Sequence, residues 1–253
     1  MPTTLENPAE TVDMIAVFLR QTLKKTGKEK LLVAVSGGID SAVVISLAVK
    51  AVGQEKVHAL QLPYKDQSVE DSSLILDQLG LASDHRRVIN IEDMVDQVAK
   101  NLGVENNSLR RGNIMARVRM IAVFDLAKQL DALVCGTENK SEKYLGYFTR
   151  FGDEASDIEP IQHLYKTQVK VLARQLQLSP VFLQKAPSAG LWADQTDEKE
   201  LGFSYEQADQ VLVELIDGEQ SDPTAEIKEK VKQRIISQEF KRQAPYRLAV
   251  EST

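Results

Sequence analysis

The segment 31–52 constrains the fold more than any other part of the chain. Leu31-Leu32-Val33-Ala34-Val35 is an unbroken apolar run, Ser36-Gly37-Gly38-Ile39-Asp40-Ser41 follows it directly, and the apolar stretch 42–52 comes next, closed by Gly53. A short apolar run without polar alternation marks a strand buried on both faces. The glycine pair behind it reads as a sharp turn, and the length and composition of 42–52 as a helix. The unit is therefore a buried strand, a tight turn and a buried helix, the first half of a parallel βαβ crossover.

The rest of the chain repeats that alternation. Val12, Ile15, Ala16, Leu19 and Leu23 recur at helical spacing between Pro8 and Gly27, which predicts an amphipathic helix ahead of the first strand. Strands are predicted at 57–62, 87–91 and Ala132–Cys135, with a further short one at 157–161. Ser68-Val69-Glu70-Asp71 reads as a capping box with Asp in the Glu position, opening a helix that runs to Gly80. Helices are predicted at Glu92–Asn101, Ser108–Leu130, 166–177, Pro180–Gln184, 204–216 and 223–238. Strand–helix alternation with right-handed crossovers implies an α/β fold, a doubly wound parallel sheet of Rossmann-like type with additional C-terminal helices. The stretch 186–200, with Pro187, Gly190, Asp194, Asp197, Glu198 and Glu200, carries no apolar period. It reads as a long loop, mobile without ligand and acting as a lid.

Composition removes several function classes. The net charge of −6 gives no bulk attraction to nucleic acid. The basic run Lys228, Lys230, Lys232, Arg234, Lys241 and Arg242 reads as a solvated helix face, whereas Arg110, Arg111, Arg117 and Arg119 sit beside other signals. No apolar window of 18 residues exists to span a membrane, and the N-terminus lacks a signal-peptide pattern; the expectation is a cytoplasmic protein with neither membrane nor nucleic-acid partner. One cysteine, Cys135, permits neither an internal disulfide nor a CxxC site; directly before Gly136 at a strand end, it reads as a packed core thiol.

The chemistry of Ser36–Ser41 points to phosphate. Two glycines let backbone amides approach an anion without Cβ obstruction, and the following helix aims its positive N-terminus at the same place. Ser36 and Ser41 offer hydroxyls to phosphate oxygens. Asp40, a poor phosphate ligand, makes sense if it holds Mg²⁺. Neither GxxxxGK[ST] nor GxGxxG occurs, so neither a P-loop NTPase site nor a dinucleotide fingerprint is indicated.

SGGIDS resembles the pyrophosphate loop of the ATP pyrophosphatases, the adenine nucleotide alpha-hydrolase-like enzymes that split ATP to AMP and pyrophosphate. Further segments resemble one family within them. Gly112-Asn113-Ile114-Met115-Ala116-Arg117-Val118-Arg119-Met120 is similar to the GNxxARxRM helix of NAD synthetases, and Gly136-Thr137-Glu138-Asn139-Lys140-Ser141-Glu142 to their GTxNxxE segment. Gly146–Asp153 (GYFTRFGD), Leu164–Val169 (LYKTQV) and Pro187–Gly202 (PSAGLW, then QTDEKELG) are similar to three more, so that the likeness runs from about Val12 to Pro245.

That resemblance implies residue roles. Asp40 and Glu142 would hold Mg²⁺, and Ser36, Gly37, Gly38, Ile39, Asp40, Ser41, Thr137, Lys166 and Ser188 would bind ATP. Catalysis would fall to Asp40, Lys166 and Ser188, with Lys166 neutralising charge on the leaving pyrophosphate. Arg117, Arg150, Asp157 and Lys241 would contact deamido-NAD. The family pattern has Lys at Arg150 and His at Phe240, so the chain departs from it at both. The reaction implied is attack of the nicotinate carboxylate on the α-phosphate of ATP, giving an adenylate that ammonia converts to the amide. A single domain over 1–253 without an N-terminal glutaminase domain is expected, since about 30 residues precede the first strand; the nitrogen source is then free ammonia. The resemblance also implies a homodimer, with the apolar 114–130 helix available for its interface. The rival readings are a GMP synthetase-like or tRNA-modifying pyrophosphatase and a non-catalytic nucleotide binder. The GNxxARxRM helix disfavours the first, the lone cysteine and acidic charge the second, and the paired Asp40 and Glu142 the third.

Overall fold

A computed structural model describes residues 5–104, 107–188, 190–192, 195–243, 245 and 246. Four strands, β1 (Lys30–Ala34), β2 (Val57–Gln61), β3 (Arg86–Val88) and β4 (Ala132–Cys135), form one sheet in the order β3-β2-β1-β4. Every pairing is parallel, with Val33 opposite Ala59 on one side and Cys135 on the other. The strand order reverses at β1: β2 and β3 are laid down on one side of it and β4 on the other. This opens a crevice between the carboxyl ends of β1 and β4, the position where open α/β sheets bind ligands.

Alternate residues of β1 feed two separate cores. Leu31 and Val33 join Val43, Ile45 and Leu47 of α2 (Ile39–Val52), with Leu19 of α1 (Pro8–Thr26) beyond them. Leu32 joins Ile91, Val95 of α4 (Glu92–Asn101) and Met115 of α5 (Ser108–Leu130) on the opposite face. Helices on both faces leave β1, β2 and β4 no wet side, the physical reason for the unbroken apolar run of β1, while the edge strand β3 stays largely exposed. α2 is buried at most positions because α1 and α7 (Lys166–Gln175) cover the side turned away from the sheet. α3 (Glu70–Gln78) closes the same face through Ile75 and Leu76. α6 (Lys140–Leu145), α10 (Tyr205–Leu212) and α11 (Ala225–Ser237) build a third core with Leu145, Phe203, Tyr205 and Val231 at its centre. The short helices α8 (Pro180–Gln184), α9 (Asp197–Leu201) and α12 (Glu239–Arg242) complete the chain.

Four sequence expectations are corrected. Residues 157–161 form no strand: Ile158 makes one isolated bridge to Cys135, because the chain turns away after Glu159. Ser68 does not close a capping box; its Oγ accepts from Glu70 N while Asp71 pairs with Lys185 at 2.6 Å, a cation supplied from another part of the fold. The 204–216 helix is α-helical only to Leu212 and finishes as a π-turn over Val213–Asp217. The C-terminal basic run is not all solvated: Arg234 donates to Leu145 O at 2.8 Å and Arg242 to Tyr144 O at 2.7 Å, fastening α11 and α12 to α6.

Candidate active site

The loop after β1 is held open by its own polar groups. Gly37 has φ +81°, and a Cβ there would lie 3.0 Å from Asp71 Cβ and 3.2 Å from Ser72 N. Both the left-handed conformation and the close approach of α3 require glycine. Ser41 Oγ donates to Gly38 O at 3.0 Å and lies 3.3 Å from Ser36 Oγ, so the two hydroxyls brace the turn. Gly38 caps α2 with no side chain, which leaves the first amides of a 14-residue helix facing the crevice.

The loop after β4 lies alongside. At Gly136 a Cβ would meet Glu159 Oε1 at 1.8 Å, so the Glu159 carboxyl occupies the space a side chain would take at the strand end. Thr137 follows, half-buried. Asn139 is fully buried and does two jobs: its Oδ1 accepts from Glu142 N at 3.0 Å to cap α6, and its Nδ2 donates to Asp40 Oδ1 at 2.9 Å. A capping residue thus fixes a carboxylate on another helix. The family motif contains this Asn, but nothing in its spacing reveals the contact with Asp40.

The carboxylates of Asp40 and Glu142 meet at one cation. Lys166 Nζ lies 2.5 Å from Asp40 Oδ2 and 3.0 Å from Glu142 Oε1, with the lysine side chain 3% exposed. Burial works against this ammonium, but the two carboxylates outweigh it and hold Lys166 protonated. Burial likewise lifts the Glu142 carboxyl above its usual range, with Lys166 opposing. The backbone beneath is pinned by Asp209, which is fully buried. It accepts from Ser141 Oγ, from Thr167 N at 2.9 Å and from Thr167 Oγ1 at 2.7 Å, while Lys166 N donates to Ser141 Oγ at 2.9 Å. The starts of α6 and α7 are thereby locked together, and with them Glu142 and Lys166.

Two hard carboxylate donors converging on one positive charge are what Mg²⁺ uses, and Lys166 Nζ marks where a cation is favoured. Among the described residues no cluster of three His, Cys, Asp or Glu side chains could hold a metal unaided. The remaining ligands would have to be phosphate oxygens and water, as suits a metal arriving with a nucleotide.

The other expected residues fall into two places. Arg117 Nη2 donates to Arg150 O at 3.1 Å, Arg150 Nη2 to Gln243 O at 3.3 Å, and Lys241 Nζ to Gly146 O and Phe148 O at 2.7 and 2.8 Å. These three cations gather around the 146–152 turn. Asp157 is exposed and stands apart, its Oδ2 accepting from Val134 N at 2.8 Å beside the end of β4. Ser188 Oγ donates to Gln195 O at 2.7 Å and accepts from Gly190 N at 3.1 Å, so its hydroxyl is spent within its own loop.

That loop has contacts of its own with the rest of the fold. Ala189, Ala193 and Asp194 lie outside the described residues, but the remainder is anchored: Leu191 packs on the α4–α5 core and Gln195 and Asp197 are buried. Gln67 Nε2 donates to Gly190 O at 2.6 Å, tying it to the loop after β2. One apolar side chain and polar anchors at fixed points replace the periodic apolar face that a helix would have needed. Cys135 is buried at the end of β4, and burial pushes its thiol far above the usual range.

The sequence profile of the NAD synthase family matches residues 11–245, with the loop and the carboxylate pair inside the match. The chain belongs to the NAD synthase family. It is 42% identical to the NH(3)-dependent NAD(+) synthetase of Thermococcus sibiricus over 83% of this chain and 82% of that one. To the NH(3)-dependent NAD(+) synthetase of Pyrococcus furiosus it is 39% identical over 92% and 93%. Among solved NAD synthase-like structures, the NMN synthetase of Francisella tularensis superposes with a TM-score of 0.85 at 32% identity, covering 97% of this chain and 99% of that one. The NH3-dependent NAD synthetase of Campylobacter jejuni superposes with 0.81 at 28% identity, covering 96% and 100%. As a NAD synthase the protein is an amide-forming ligase that uses ATP.

Proposed function

We propose that the protein amidates the nicotinate carboxylate of deamido-NAD with free ammonia, converting ATP to AMP and pyrophosphate. The observation that carries this reading is the meeting of Asp40, Glu142 and Lys166 beside the Ser36–Ser41 loop, at the β1/β4 crevice of a NAD synthase fold. Asp40 and Glu142 would hold Mg²⁺, which when bound supplies charge neutralisation to the triphosphate. The amides of Gly38, Ile39 and Ser41 would take the pyrophosphate, with Ser36 and Thr137 adding hydroxyls. Arg117, Arg150 and Lys241, gathered on one turn, supply positive charge for the dinucleotide's phosphates, while Asp157 contacts it from the β4 side. Lys166 carries the charge that offsets the leaving pyrophosphate. Ser188 reaches the nucleotide only after giving up Gln195 O.

In-line attack of the carboxylate on the α-phosphorus requires positioning and charge neutralisation more than a covalent catalyst. Ammonia then attacks the adenylate carbonyl, the C–N bond forms, AMP leaves with the C–O bonding pair, and the nitrogen gives up one proton to water to leave the neutral amide. A homodimer belongs to the same proposal, and Leu109 and Ile121 on α5 are exposed apolar side chains available to it. No described helix is long and apolar enough to cross a membrane.

A second acceptor is favoured by one observation, the fit over nearly the whole chain to the NMN synthetase of Francisella tularensis. The deciding experiment is pyrophosphate release from ATP and Mg²⁺ with ammonium chloride and, in turn, deamido-NAD, nicotinate mononucleotide, XMP or no acceptor. Release with deamido-NAD, matched by NAD formed, is expected. Preference for the mononucleotide establishes the second reading, and release that is indifferent to the acceptor refutes both.

A further inference from the structure

Asp197, the third residue of the Gln195-Thr196-Asp197-Glu198 run, has no role in the site described so far, yet it faces that site. Its side chain is 4% exposed at the start of α9. Asp197 Oδ2 accepts from Tyr205 Oη at 3.1 Å, while Oδ1 is buried without a partner among the described residues. The ring of Tyr205 lies under the Lys166 ammonium, 5.1 Å from Nζ to the ring centroid. The Tyr205 ring therefore runs from the ammonium to a buried carboxylate whose Oδ1 accepts no hydrogen bond from the described residues, with the Tyr147 hydroxyl, which donates to Glu200 Oε2 at 2.9 Å, close by. Burial raises the Asp197 carboxyl, and the Lys166 ammonium is the foremost influence pulling it back down, although no hydrogen bond joins the two.

The position of Lys166 is incompatible with the cation reading of the same site. Its Nζ fills the gap between Asp40 and Glu142, and a divalent cation held by these two carboxylates would be repelled by the ammonium that pairs with both. The ammonium has to move. Its backbone cannot follow, since Lys166 N is fixed on Ser141 Oγ, so the side chain must swing. A buried ammonium needs a partner at its new position, because an unpaired charge there is costly.

We propose that Asp197 is a positioning residue that receives the Lys166 ammonium when a divalent cation takes Asp40 and Glu142. The inference rests on those two carboxylates being the cation-holding pair. With one N–H on Asp197 Oδ1, the ammonium keeps two others for phosphate oxygens, and Tyr205 supports it along the path. Asp197 N donates to Pro187 O at 3.0 Å, so the movement is felt one residue before Ser188. Nucleotide and cation binding are in this way connected to the loop that carries Ser188.

Binding of Mn²⁺ with the non-hydrolysable analogue α,β-methylene-ATP, followed by titration calorimetry, tests this as a double-mutant cycle. Asp197→Asn keeps an acceptor for Tyr205 and should weaken binding about tenfold in the wild-type background, but less than about twofold in Lys166→Met. kcat should fall with it, while KM for deamido-NAD stays. Equal losses in both backgrounds, or no loss in either, overturn the proposal. A crystal structure of the unmutated protein with Mg²⁺ and the analogue gives an answer independent of any variant's folding. Nζ within hydrogen-bond reach of Asp197 supports the proposal; Nζ still on Asp40 and Glu142, or on phosphate alone, refutes it. If Asp40→Asn and Glu142→Gln bind Mn²⁺ as tightly as wild type, the cation reading itself has failed.

Discussion

Lys166 Nζ and Asp40 Oδ2 stand 2.5 Å apart although 126 positions separate them in the chain. The contact joins the first helix after β1 to a helix that follows β4, and Glu142 shares it at 3.0 Å. Three charged groups on three helices converge there with the lysine almost wholly out of water, an arrangement that costs desolvation and is retained for its charge pattern.

Removing either carboxylate should disable the chemistry and spare the fold. Asp40→Asn and Glu142→Gln each leave Lys166 one carboxylate and leave the apolar cores untouched. AMP formation should drop by about two to three orders of magnitude or more, with circular dichroism unchanged. Turnover at the wild-type rate under limiting Mg²⁺ in either variant would remove that residue from the site.

Glu138 should make the protein less stable as pH rises. Its side chain is 6% exposed, one oxygen accepts from Gln162 Nε2 at 2.6 Å, and the other is buried without a partner among the described residues. Burial, then the neighbouring Glu159, pushes its carboxyl up to about 8. The folded state therefore keeps a proton that the unfolded chain, with its ordinary carboxyl near 4.5, has released. The penalty is absent below the unfolded value, grows between the two, and is complete above about 8. Glu138→Gln should accordingly gain about 2 kcal/mol at pH 8 and little at pH 5. Urea melts across that range check it; a mutant–wild-type difference that does not change with pH would contradict it.

Gly136→Ala should damage the site through Glu159 rather than through backbone freedom. The new methyl would overlap the Glu159 carboxyl and make that side chain swing off its 2.7 Å hydrogen bond from Ser156 Oγ, at a cost of about 1 kcal/mol and with reduced activity. Adding Glu159→Ala makes room, and the double variant should regain most of the melting temperature. A double variant no better than Gly136→Ala alone would show the cause to lie elsewhere.

Ammonium salts should support product formation and glutamine alone should not. Activity should rise with pH while NH₃ replaces NH₄⁺, because the free base is the nucleophile. Cys135→Ala should retain most activity with a packing loss of about 1 kcal/mol, and native protein should resist thiol reagents because Cys135 is buried. Glutamine-dependent turnover that disappears in Cys135→Ala would overturn this account.

Local chemistry was legible in the sequence because local physics decides it. The unbroken apolar run of β1 announced a strand covered on both faces, Gly37 and Gly38 announced a turn that meets an anion, and Pro8 announced the start of α1. The family's motifs named Asp40, Glu142 and Lys166, but nothing in their spacing shows them sharing one contact; the reversal of strand order at β1 and the Asp209 knot bring them together. The roles of Asn139, Glu159 and Asp197 are also tertiary. Each is an ordinary polar residue in sequence, distinguished only by what the fold buries against it. The stretch 157–161 and the false capping box at Ser68 failed for the converse reason: a strand needs a free neighbour to pair with, and Asp71 found a stronger partner in Lys185 than in its own helix. Period and turn chemistry act over a few residues and can be read along the chain; desolvation and charge pairing depend on distances that only the folded chain sets.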